Sequence, residues 1–165
     1  MPTVKHEAHF DHMLHFEGQK FFKGAVLLKE NPVHYTNSPY WVLLAFSIEL
    51  MLKSLSVKRT ITLSKQKPSR INSTKIEHPK GHALKSVFDD LPENWRAWLS
   101  EELEVSYGFA IEEVLDENSA VFDQARYIYP KNGHIEYPHG FSVNERALYC
   151  LGELLVSIPE RIQNN

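Results

Sequence analysis

The chain has 165 residues, 42% of them hydrophobic and 24% charged, with a net charge of −3 and a single cysteine. That length and balance suit one globular domain spanning residues 1–165, and they exclude a disordered or low-complexity chain. Cys150 has no second cysteine to pair with, and the N-terminus MPTVKHEAHFDH lacks the apolar core of a signal peptide. A reducing, cytoplasmic setting is therefore expected.

In chain order, Phe10, Met13, Leu14 and Phe21, then Phe22, Ala25, Val26 and Leu28, predict a first helix that stops at Asn31-Pro32. His6, His9, His12 and His15 recur at every third position there. Neighbouring imidazoles on a helix, with Glu7 and Asp11, make a candidate metal site; a solvated terminal face is the plainer reading. Ser38 reads as an N-cap and Pro39 as the first residue of a second helix running to about Val57. It is apolar nearly all round (Trp41, Val42, Leu43, Leu44, Ala45, Phe46, Ile48, Leu50, Met51, Leu52), which predicts a central, covered position. Its apolar stretch YWVLLAF is too short to cross a bilayer, so no membrane partner is expected.

Within this helix Glu49 and Lys53 lie one turn apart, in the favoured order for a helical ion pair. Charges in so apolar a segment need partners, because an unpaired buried charge is costly. One reading is a surface pair on an exposed strip; the other is a polar pocket joined by residues from elsewhere.

Residues 58–80 break the helical pattern. They hold seven basic residues against Glu77 alone, a net +6, so the rest of the chain carries −9. RTITLS alternates weakly, and the segment reads as a long basic loop or a short hairpin insertion. Lys65, Lys67 and Arg70 are its candidate phosphate contacts. The alternative is pairing with the acidic stretch from Asp89 to Glu117, where ten carboxylates face only Arg96.

Helical spacing returns with Leu84, Val87, Phe88 and Leu91, which puts His82 at a helix start. Trp95, Trp98 and Leu99 follow, then Ile111, Val114 and Leu115. Phe122, Ala125 and Tyr129 share a further helical face that Pro130 ends, with Asp123 in reach of Arg126 and Tyr127. Ser142 and Glu145 match a capping box for a last helix carrying Leu148, Leu151, Leu155 and Ile158. The expectation is an all-α, up-and-down bundle of five or six helices with a long basic connection. No Gly-rich phosphate loop, cysteine cluster or serine-nucleophile elbow is present, so no cofactor is expected.

Three segments, FSIELMLKSL, GHALKSVFDDLP and FDQARYIYPKNGHIEYP, resemble in that order the HEPN superfamily of helical nucleotide- and RNA-binding domains. The resemblance covers roughly residues 15–158 as a pattern of helices. It implies a helical bundle that is frequently a homodimer. Catalytic members are metal-independent ribonucleases whose motif is Arg, a polar residue, three to five further residues and His; others are non-cleaving binding or toxin–antitoxin partners. Here Arg126 and His134 are separated by seven residues, YIYPKNG, and Tyr127 stands in the polar position. Pro130 and the Asn132-Gly133 turn place His134 on a loop without fixed register to Arg126.

The expected function is thus non-catalytic binding of a nucleotide, an RNA or a protein partner, in a defence or toxin–antitoxin setting. Glu49, Lys53, His82, Asp123, Tyr127, Lys65, Lys67 and Arg70 are its binding residues. One alternative is a metal-independent endoribonuclease using Arg126 with His134 or His139. The other is a metal-binding protein built on His6, His9 and His12.

Overall fold

The computed structural model describes residues 4–31, 37–64, 70–119, 121–122 and 143–163. They are mostly helical. The order is β1 (Val4–His9), α1 (His12–Glu30), α2 (Asn37–Ser54), β2 (Val57–Leu63), β3 (Ile71–Glu77), α3 (Leu84–Asp89), α4 (Glu93–Tyr107), α5 (Ile111–Asn118), α6 (Glu145–Val156) and α7 (Ile158–Gln163).

Helix α2 lies at the centre, against α1, α3 and α6. Leu44, Ala45, Ile48, Met51 and Leu52 have no solvent exposure, as its all-round apolar sequence demands. Leu99 and Leu103 of α4, Val114 and Leu115 of α5, and Leu148, Leu151 and Leu155 of α6 complete the same core. Helix α1 can approach α2 closely because Gly18 faces it. A Cβ on Gly18 would stand 2.6 Å from Met51 Cγ and 3.0 Å from the Ser47 carbonyl oxygen.

The all-α expectation needs correction, because β1, β2 and β3 form an antiparallel sheet in that order. The pairing runs from Val4↔Thr62 to His9↔Val57 on one side of β2 and from Lys58↔Glu77 to Leu63↔Ile71 on the other, with an irregularity at Thr62/Leu63. The basic segment is therefore built around a hairpin. Val57 and Ile61 of β2 are buried, as alternation with β-branched residues favours.

Several element ends also differ from the sequence reading. The N-terminal segment before Phe10 is a strand, because its backbone pairs with β2. Helix α2 stops at Ser54 and β2 begins at Val57, where the second helix was expected to end. Asn144 caps α6, its side chain accepting from the Ala147 N–H at 3.2 Å, and Ser142 of the expected capping box lies outside the described residues. Glu145, freed from the capping role, takes Lys29 at 2.5 Å and the Trp41 indole N–H at 3.3 Å. The final helix breaks at Ser157, and Pro159 takes an early position in α7.

Candidate functional site

The carboxylate of Glu49 is 1% exposed, in the middle of α2. A charge there is tolerable only if its oxygens are bonded. Lys53, one turn on, donates from Nζ to Glu49 Oε1 at 2.7 Å. The same ammonium donates to the Gly81 carbonyl at 2.7 Å, which ties the chain before α3 to the centre of α2. Gly81 has φ +90°, a left-handed conformation that glycine adopts without a Cβ penalty. The turn delivers His82, whose Nδ1–H donates to both Glu49 oxygens at 3.1 Å.

His82 precedes α3, which begins at Leu84 with Ala83 as N-cap, so it is not the helix-start residue expected. Its position is set by the carboxylate and by an aromatic contact instead. The imidazole stacks on Phe122 with centroids 5.3 Å apart and planes at 28°, and Phe122 stacks on Phe46 at 5.3 Å and 24°. The His82 side chain is 52% exposed, whereas that of Lys53 is 12% exposed. Among the described residues, the result is a buried carboxylate bonded by an ammonium and an imidazole whose ring is half exposed. Such an arrangement fixes which ring nitrogen carries the proton and leaves Nε2 as an acceptor in the neutral ring.

The structure thus brings Glu49, Lys53 and His82 together. Arg126, His134, His139, Asp123, Tyr127, Lys65 and Lys67 lie outside the described residues. Arg70 is exposed at the start of β3, its carbonyl accepting from the Ser64 N–H at 2.8 Å.

The four N-terminal histidines do not all share a helix, because only His12 and His15 lie on α1. His6 and His9 belong to β1 and His12 opens α1, so the helical spacing that grouped them does not apply. Asp11 is occupied as the α1 N-cap, accepting from the Leu14 N–H at 3.0 Å. His15 is buried and donates from Nδ1 to Ser54 Oγ at 2.9 Å, while that hydroxyl donates to the Met51 carbonyl at 2.5 Å. Among the described residues no group of three His, Cys, Asp or Glu side chains is placed to hold a metal.

A separate cleft of about 250 Å³ is lined by Lys58, His78 and Lys80 together with Glu77 and Asp90. Lys75 bonds Glu77 at 2.5 Å and holds its carboxyl below the usual range; Lys58 and Lys80 act in the same direction. No ion pair joins the described residues of the 58–80 segment to those of the acidic 89–117 stretch. The acidic side finds a different cation, because Lys85 of α3 bonds both Asp89 and Glu112.

Phe46 and Phe122 were legible as core residues but not as a platform for His82. Stacking depends on an approach between segments forty residues apart, which carries no local pattern. No family model, curated protein or solved structure matches the chain. No described helix is long and apolar enough to cross a membrane.

Proposed function

We propose that this chain is a cytosolic HEPN-like domain, an up-and-down helical bundle acting as a homodimer, that binds RNA or a nucleotide and leaves it uncut. The observation that carries the reading is the meeting of Glu49, Lys53 and His82 in one hydrogen-bonded cluster. These residues come from two of the three segments on which the HEPN resemblance rests. The exposed cations of the hairpin add a surface for phosphates, since Lys58, Arg70, Lys75 and Lys80 are all exposed.

One observation favours the ribonuclease alternative. An imidazole anchored through Nδ1 on a buried carboxylate is the arrangement that orients a general base in hydrolases. Arg126 would then hold the phosphate, and His82, His134 or His139 would take the proton of the attacking 2′-hydroxyl.

Incubating purified protein with single-stranded RNA, with and without EDTA, separates the readings. The binder leaves the RNA at full length in both buffers, and Arg126→Ala does no more than weaken binding. Cleavage that survives EDTA and disappears in Arg126→Ala would replace the binder with the nuclease. Cleavage or binding lost only in EDTA would favour the N-terminal metal reading.

A further inference from the structure

We propose that the outer face of His82 is a stacking platform for a nucleobase, which would become the next ring of the column Phe46–Phe122–His82. This rests on the RNA- or nucleotide-binding reading and names the part of the ligand that meets the cluster. The column starts at two half-buried rings, where Phe21 meets Phe46 edge-on at 4.9 Å and 70°. It passes through two stacked contacts of 5.3 Å each and ends on a ring that is half exposed.

One face of that ring lies on Phe122 and its Nδ1 edge on Glu49. The exposed half is therefore the opposite face and the Nε2 edge. The ring cannot turn away without stripping a hydrogen bond from a carboxylate that is 1% exposed. A flat ring already held in place loses little freedom on binding, which favours a planar ligand. Nucleobases stack on such surfaces whatever their sequence, because every base has a π face.

The neighbouring charges fit the rest of a nucleotide. Lys80, two residues before His82 in the chain, lines a cleft with Lys58; neither is ion-paired among the described residues, and the cleft also carries Glu77 and Asp90. In the neutral imidazole, Nε2 lies in the ring plane as an acceptor, where a stacked base leaves room for a sugar hydroxyl to donate. A planar base, a hydroxyl and a phosphate together describe a ribonucleotide unit.

Calorimetric titration with adenosine 5′-monophosphate, against ribose 5-phosphate as the probe without a base, tests this. The monophosphate should bind at least about tenfold more tightly than the ribose phosphate, the scale of one base stacked on an aromatic side chain. His82→Ala should remove that difference, and His82→Phe, which keeps a flat ring, should preserve most of it. Should either variant fail to fold, proton NMR of the unaltered protein gives the same answer. The His82 ring signals should move upfield with the monophosphate and stay in place with the ribose phosphate. Equal binding of the two probes, or unmoved His82 signals at saturation, would overturn the platform. RNA binding that persists beside such a failure would leave the broader binding function standing on the hairpin cations alone.

Discussion

His15 points from α1 into the core, and burial lowers its pKa from 6.5 to about 4, outweighing the nearby carbonyls of Leu155 and Met51. In the unfolded chain the same imidazole takes up its proton near pH 6.5. Between these values the unfolded state binds more protons than the folded one, so stability falls as pH drops. The loss begins below about 6.5 and is complete near 4, amounting to about 3 kcal/mol. Urea midpoints measured across that range should decline less steeply for His15→Phe than for the unaltered protein. Identical slopes would mean that His15 is protonated without cost in the fold. The Glu49 cluster makes a second residue-level prediction. Lys53→Met leaves a buried carboxylate with His82 as its remaining partner among the described residues and should cost roughly 1–3 kcal/mol. Replacing Glu49 by Leu together with Lys53 by Met should cost less than Lys53→Met alone, because no unpaired charge remains. Melting temperatures in the opposite order would show that the pair stabilises by more than mutual satisfaction.

At the scale of elements, the contact between α1 and α2 depends on the missing side chain at Gly18. Alanine is the better helix former by about 1 kcal/mol, yet its Cβ at position 18 would press on Met51 and the Ser47 carbonyl. Gly18→Ala should therefore destabilise by roughly 1–3 kcal/mol. Gly24→Ala should do the reverse, gaining up to about 1 kcal/mol, since among the described residues its Cβ would meet only Leu43 Cδ1 at 3.9 Å. Thermal melts of the two variants check both signs. Elements were legible where the pattern was long: the apolar girdle of α2 foretold its central place, and Asn31 does end α1. Strand β1 was not legible, because it is stabilised by pairing with β2 fifty residues away, while the three-residue spacing of its histidines imitates a helix. That Asn144 caps α6 is a local choice that sequence spacing does not decide.

Over the whole molecule, Glu49, Lys53 and His82 were all readable as candidate residues, but the route that brings His82 to the other two was not. Glu49 and Lys53 announce each other by their spacing on one helix face, but His82 reaches them across 33 positions, through a turn that Gly81 permits. Charge was readable too, as a basic segment and an acidic one; that the described parts of the two do not pair with each other emerges only from the fold. If the proposed binding of a polyanion by the basic segment holds, its consequence is salt dependence. The most direct measurement is an anisotropy titration of end-labelled single-stranded RNA between about 50 and 200 mM salt, with the same samples then run on a denaturing gel. The account predicts saturable binding that weakens steeply with salt, a flatter dependence when Lys65, Lys67 and Arg70 are all changed to Ala, and RNA of unchanged length throughout. Absence of binding at the lowest salt, or shortened RNA in any lane, would contradict it.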